Sequence, residues 1–287
     1  MFIKPFRYHH VESLSEAAEA LRASEGEAKV IAGGQSLMPM MNLGLVEFET
    51  IVDISRISDG RDIGAEDGYL HIGALTSHRQ LETDPLIAER QPMLSEATRW
   101  IGNSRVRFRG TLGGSLAHSD PSAELPLAMV TLGAEYEITD GRAVRSVRAD
   151  EFHLSHFTTV LEEDELLSSV RIPVLGSSWG WGFREIARRK GDFAIVAAAA
   201  LVRVANGEIV ESRLALAGVA ERPLRLGVVE SAVTGARIDE LTNRIGPIDS
   251  IEPLGDTNAS ADYRRHLARV LSIRAFLDAC RRAEELS

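Results

Sequence analysis

The chain has a single cysteine, Cys280, among its 287 residues. One thiol forms no internal disulfide and cannot supply the several thiolates that an iron–sulfur cluster needs. Nor is there an apolar run approaching the roughly 20 residues of a membrane-spanning helix. The longest such stretch, Phe193 to Val202, is short, alanine-rich and followed by Arg203. The opening Met1-Phe2-Ile3-Lys4-Pro5-Phe6 lacks the apolar core of a secretion signal, so a cytoplasmic location is expected. Positive charge is scarce: Lys and Arg number 32 against 42 Asp and Glu, a formal net charge of -10. That balance excludes a general nucleic-acid binder, which needs a basic face toward phosphates. The Gly-x-Gly-x-x-Gly and Gly-Lys-Ser/Thr nucleotide signatures are missing too, so a doubly wound dinucleotide fold is not expected.

What remains is an ordinary globular composition, 44% hydrophobic and 26% charged, long enough for two or three units. The pattern predicts an α+β chain in three parts, 1–57, 58–176 and 177–287. In the first, Ser13-Leu14-Ser15-Glu16 has capping-box spacing ahead of a helical face of Leu14, Ala17, Ala18 and Leu21. Strands are expected at Lys29 to Ala32 and Thr50 to Asp53, on either side of a Met-rich apolar segment. The second part opens on a hairpin turning at Glu66-Asp67-Gly68, then a short helix capped by Ser77 and Gln80 and another from Pro92 to Gly102. A helix around Leu125 to Leu132, a hairpin turning at Asp140-Gly141 and a strand from Leu167 to Ile172 complete it. Gly176 to Gly180 reads as a connection. The third part has strands at Gly182 to Ile186, Ala194 to Val204 and Ile209 to Leu216, the last two joined at Asn206-Gly207, the strongest hairpin signal in the chain. A final helix from 261 to 285 is expected to bury Val270, Ile273, Leu277 and Cys280.

Two glycine-rich turns stand out, Ala32-Gly33-Gly34-Gln35-Ser36 and Thr111-Leu112-Gly113-Gly114-Ser115. Glycine lets a backbone approach a ligand closely, and successive amides form an anion-binding concavity to which a serine hydroxyl adds a donor. One Gly-Gly pair on its own is more often just a tight turn. Two in similar contexts suit a group with two phosphates.

The segments Ile31 to Pro39 and Arg109 to Pro126, the latter Arg-Gly-Thr-Leu-Gly-Gly-Ser-Leu-Ala-His-Ser-Asp-Pro-Ser-Ala-Glu-Leu-Pro, closely resemble the paired signatures of the FAD-binding medium subunits of molybdenum hydroxylases. That family includes carbon monoxide dehydrogenase and the flavin domain of xanthine dehydrogenase. The resemblance runs along essentially the whole chain, through Pro5 to Tyr8, Ile72 to Ala74, Glu165 to Leu167, Arg188 to Val196 and Tyr263 to Arg265. It implies a two-subdomain FAD fold of the vanillyl-alcohol-oxidase type followed by a C-terminal α+β domain with an antiparallel sheet and helices. It also implies partners: a small subunit with two [2Fe–2S] clusters and a large molybdopterin subunit, in a dimer of heterotrimers. Electrons would reach FAD on this chain from a cluster and leave to an external acceptor. By the resemblance Val30, Ile31, Ala32, Gly33, Gly34, Gln35, Ser36 and Leu37, with Thr111, Gly113, Gly114 and Ser115, would wrap the pyrophosphate and ribityl chain. Ile101 and Leu167 would pack on the cofactor, and His118, Asp120 and Glu124 would line the flavin and ribityl hydroxyls. Asp192 and Phe193 would reach the isoalloxazine, with no catalytic side chain and no metal ligand on this chain. Departures occur at Ser115, Glu124 and Phe108, and Asn42-Leu43-Gly44 stands where the carbon monoxide branch has Lys-Leu-Arg, which points away from carbon monoxide as substrate.

Other residues have plainer readings. His118-Ser119-Asp120 has hydrolase residue types, but adjacent residues do not form a triad. His153 and His156 read as surface histidines, and Met38, Met40 and Met41 as core packing. Arg105, Arg107 and Arg109 alternate as on a strand and suit a phosphate, a partner or solvent equally, while Cys280 is expected to be inert. Two rival functions stay open: a self-sufficient flavin oxidase or dehydrogenase of a small organic substrate, and an assembly module that has lost its flavin.

Overall fold

The computed structural model describes residues 3–285. Its first sheet is parallel, with β1 (Arg7–His10) and β2 (Ala28–Ile31) flanking β3 (Thr50–Asp53). Helix α1 (Leu14–Arg22) links the first two strands in sequence, and α2 (Leu37–Asn42) links β2 to β3. Ser13 caps α1 as its sequence announces, accepting from the Glu16 amide, and Ala17, Ala18 and Leu21 are buried. β1 has no hydrophobic alternation because all four of its residues are exposed, so its sequence carries no strand signal.

The next strands, β4 (Ile63–Glu66) and β5 (Tyr69–Gly73), form the expected hairpin. Six helices follow: α3 (His78–Thr83), α4 (Pro85–Arg90), α5 (Pro92–Trp100), α6 (Ser104–Arg109), α7 (Leu112–His118) and α8 (Glu124–Leu132). Then come β6 (Glu135–Thr139), β7 (Val144–Arg148), α9 (Ala149–Phe152), the small pair β8 (His153–Ser155) and β9 (Thr158–Thr159), and β10 (Leu166–Pro173). The second sheet has the order β4-β5-β10-β6-β7, antiparallel throughout. The strand-like spacing of Arg105, Arg107 and Arg109 is overturned, because Asn103 caps α6 by accepting from the Arg105 and Val106 amides. Arg107 is thereby aimed at Glu82 and the carbonyls of Ile101 and Gly102, not at a ligand.

The third sheet is antiparallel in chain order: β11 (Trp179–Ile186), β12 (Val196–Ala205), β13 (Glu208–Ala217) and β14 (Leu224–Arg225). Helices α10 (Gly227–Val233) and α11 (Leu241–Arg244) precede the long α12 (Ala261–Glu285). Trp179 and Gly180 belong to β11, so part of the expected connection is strand. β12 is covered on both faces, which explains its unbroken apolar run. Ala197, Ala199 and Leu201 share a core with α5 and α8, while Ala198, Ala200 and Val202 pack under α12.

The expected buried face of α12 is shifted. Its packing stripe is Leu267, Ala268, Leu271, Ala275, Phe276, Ala279, Cys280 and Ala283, whereas Leu277 is exposed and Val270 and Ile273 are only partly covered. The reason lies on β11. A Cβ at Gly182 would come within 2.8 Å of the Ala275 carbonyl carbon, and one at Gly180 within 2.5 Å of the Ala283 nitrogen. The helix lies so close to the strand that small residues, Ala275, Ala279 and Ala283, stand where it meets β11. Cys280 is buried there, and burial pushes its thiol up to about 12, as expected of an inert cysteine.

Candidate functional site

The first glycine turn leaves β2 and enters α2. Among the described residues, the amides of Gly33, Gly34, Gln35, Ser36 and Leu37 make no hydrogen bond within the protein. These positions are half-exposed. Gly34 has a φ of 70°, the left-handed region that glycine adopts without strain. Gln35 folds back to donate from Nε2 to the Gly33 carbonyl at 3.0 Å, and the Ser36 hydroxyl at the head of α2 caps nothing. A run of free backbone amides along one turn is an arrangement that suits an anion.

The second turn is built differently. Leu112 donates to the Thr76 carbonyl at 2.9 Å, Gly113 to Ala74 at 2.7 Å and Ser115 to Thr111 at 3.1 Å. The Gly114 amide is taken by the Thr111 hydroxyl at 3.1 Å, which caps α7. Its glycine at 113 answers to packing, since a Cβ there would lie 2.6 Å from the Ala74 Cβ. Gly114 is exposed and the Ser115 hydroxyl is unbonded among the described residues, so these two present the turn outward. Behind them His78 is buried. It donates from its backbone to the Gly110 carbonyl at 2.8 Å, and its Nε2 bonds the Thr111 carbonyl at 2.9 Å. Burial holds its imidazole down to about 4.

The two turns are in contact. A Cβ on Gly33 would overlap the Arg109 carbonyl, 2.7 Å from its carbon, and lie 2.9 Å from Gly110 Cα. The free amides thus sit directly against the entry to the second turn. Val30 and Ile31 lie on β2, and Val30 and Ala32 pack on the core of the first sheet.

From α7 the wall continues through Ser119, whose φ of 53° turns the chain sharply. His118 is half-buried with its ring 4.9 Å from that of Phe157, and burial lowers its pKa. Asp120 accepts the Ser122 amide at 2.8 Å, which orders the approach to α8. Glu124 opens α8 and is buried; burial, with Asp120 adding, pushes its carboxyl up to about 7. Ser119 is engaged by His153 Nδ1 at 2.9 Å, and Tyr136 lies 3.4 Å from the other ring nitrogen. His153 is therefore a buried core residue and not a surface one, while His156 is exposed. The Ser119–His153 pair is shut off from solvent, so it offers no nucleophile to a substrate.

The third sheet meets the second part of the chain through the loop from Arg188 to Ile195. Gly191 touches the chain at Gly102, beside Ile101 at the end of α5. The loop from Arg188 to Ile195 shares a cavity of about 360 Å³ with Ser122, Asp256 and Arg264. Asp192 borders it, and Phe193 is 63% exposed at its rim. Arg264 is buried and fixes the end of that loop by donating to the Ile195 and Gly218 carbonyls and to Asp256. Leu167 departs from the rest: it is buried on β10 in the central core. Sequence reasoning missed Glu185 on β11, which is buried and whose Oε2 has no partner among the described residues. Its only signal was a charge two residues from Phe183, on the strand face that turns inward.

Comparison with known proteins bears on this arrangement. Residues 4–175 match the FAD binding domain in molybdopterin dehydrogenase, and residues 181–279 match the CO dehydrogenase flavoprotein C-terminal domain. The chain belongs to the FAD-binding medium subunits of the molybdenum hydroxylases. The glyceraldehyde dehydrogenase medium chain of Sulfolobus acidocaldarius is 32% identical, over 96% of this chain and 99% of its own. The carbon monoxide dehydrogenase medium chain of Hydrogenophaga pseudoflava is 33% identical, over 94% of this chain and 95% of its own. Among solved structures, quinoline 2-oxidoreductase from Pseudomonas putida 86 is similar with a TM-score of 0.93 and 37% identity, covering 99% of each chain. The H. pseudoflava carbon monoxide dehydrogenase gives 0.94 and 33%, covering 98% of this chain and 99% of that one. As a member of the family this medium subunit is an FAD-containing oxidoreductase component with the expected α+β fold. No helix among the described residues is long and apolar enough to cross a membrane.

Proposed function

We propose that this medium subunit holds the FAD pyrophosphate chiefly on the free amides of Gly33 to Leu37, with the outward face of Gly114 and the Ser115 hydroxyl completing the cradle. The run of unpartnered amides is the observation that carries this reading. Val30, Ile31 and Ala32 deliver the turn. Thr111 and Gly113 hold the opposing wall in place, and the Thr111 hydroxyl and the Gly113 amide are spent within it. His118, Asp120 and Glu124 line the polyol chain and ring, Asp192 and Phe193 approach the ring from the third sheet, and Ile101 borders it. Leu167 supports the site from the core. FAD supplies the change from single-electron to paired-electron transfer, while the chain orients the ring and limits which face meets an acceptor.

The partners in this reading are a small subunit carrying two [2Fe–2S] clusters and a large molybdopterin subunit, as a dimer of heterotrimers in the cytoplasm. The substrate is bound elsewhere: relatives named for carbon monoxide and for glyceraldehyde, and a solved quinoline oxidoreductase, are about equally similar to this chain. Purification with the products of neighbouring genes, followed by visible spectroscopy and metal analysis, tests the assignment. A flavin spectrum with co-purifying iron and molybdenum is expected. A colourless protein that takes up no FAD on reconstitution would overturn it.

A further inference from the structure

Two carboxyls are buried on opposite sides of the seam between the second and third sheets. Glu124 opens α8 and is 5% exposed; Glu185 lies on β11 and is 6% exposed. Glu185 shares a strand face with Phe183, which packs into the core that contains α5 and α8. Its Oε2 has no hydrogen-bond partner among the described residues, and Glu124 is bonded to no side chain there. Among the described residues no cation is paired with it. β12 presents Ala197 opposite, and Arg184, on the other strand face, is paired with Asp278 of α12. The charge of Glu124, at the start of α8, bears on it.

A carboxyl left without a partner in a protein interior costs on the order of several kcal/mol if ionised, so such groups keep a proton or meet a ligand. Ser122, two residues before Glu124, and the loop from Arg188 to Ile195 that follows β11 border one cavity. We propose that Glu185 is a further cofactor-contacting residue: as a neutral acid it donates a hydrogen bond to the hydroxyl-bearing chain of the flavin, where Glu124 accepts one. This rests on the reading of the site as an FAD site. Donor and acceptor are complementary, since each hydroxyl of a polyol both gives and takes a hydrogen bond. Burial and the Glu124 charge push Glu185 up to about 9, so the donor form persists at neutral pH.

The test uses the purified complex, stripped of flavin and titrated with FAD by fluorescence quenching. At about pH 7, E185L is expected to bind FAD roughly tenfold more weakly, the loss of one buried hydrogen bond, with the melting temperature of the stripped protein unchanged or raised. FMN, which keeps the polyol chain and lacks the adenylate, is expected to show the same ratio. E185Q keeps a donor and cannot ionise, so it is expected to match the wild type at about pH 7 and to escape the loss of affinity that the wild type shows as pH rises past about 9. Wild-type affinity in E185L, or the same alkaline loss in E185Q, overturns the proposal. If E185L fails to fold, the E185Q comparison decides alone. A wild-type complex that takes up neither flavin overturns the functional reading and this inference with it.

Discussion

The two glycine turns look alike in sequence and are built for different work. In the first, from Gly33 to Leu37, the amides are free and the glycine at 34 supplies a left-handed bend. In the second, the amides from Leu112 to Ser115 are all consumed, by Thr76, Ala74 and Thr111. One turn is a donor surface; the other is a brace that the first leans on at Arg109 and Gly110. A Gly-Gly pair therefore reports that backbone must come close to something, and only the structure tells whether that something is a ligand or another stretch of backbone.

The largest expected effect comes from Gly33→Val, which strikes the line where the turns meet. Its Cβ meets the Arg109 carbonyl and Gly110 Cα, both backbone and neither free to rotate away. A loss of about 3 kcal/mol of stability is expected from overpacking alone, read by urea unfolding of the stripped protein. Flavin retention should fall too, so loss of FAD in this variant does not distinguish cradle from brace. A stripped Gly33→Val protein as stable as the wild type would break the idea that the turns lean on each other.

Acid should distinguish them next. His78 braces the second turn, and its folded pKa of about 4 lies below the ordinary 6.5. A lowered histidine favours the folded state fully above the unfolded pKa and loses that contribution progressively as pH falls from the unfolded pKa to the folded one. Between about pH 7 and 5 this amounts to a loss of roughly 2 kcal/mol. His153 is also held down to about 4 by burial, so it adds a loss of the same sign. His78→Phe should remove only the His78 share. If the unfolding curves of this variant retain the full acid dependence, the brace does not depend on a neutral His78.

How much of this was legible depended on whether a residue's neighbours lay close in sequence. The Ser13 cap, the Asp67-Gly68 and Asn206-Gly207 hairpins and the strand at Thr50 to Asp53 are local, and they appear where their patterns put them. The helix at Ser104 to Arg109 was hidden by charges that happened to alternate, and Asn103, its cap, was the overlooked clue. The face of α12 was misjudged because it is set by Gly180 and Gly182, about a hundred residues away in sequence. At the site, the residues from 30 to 37 and 111 to 124 were legible as motifs, but their division of labour was not. Which amides stay free depends on Ala74 and Thr76, and no pattern joins those residues to Gly113.

Smaller effects sharpen the division. Thr111→Val removes the cap on α7 and leaves the Gly114 amide unpaired, so about 1 kcal/mol of stability should go. If the second turn is a brace, FAD affinity should follow only to that extent, by less than about tenfold. Ser115→Ala should do the reverse. The Ser115 hydroxyl is unbonded among the described residues, so its removal should leave stability within about 0.5 kcal/mol. It is one of the few donors the second turn still presents outward, so FAD affinity should weaken by about threefold to tenfold, the range of a single neutral hydrogen bond. Titration of the stripped complex and its unfolding curve, measured on the same preparation, read both quantities. Loss of stability without loss of affinity in Ser115→Ala would mean that even this hydroxyl belongs to the brace, leaving the pyrophosphate to the first turn.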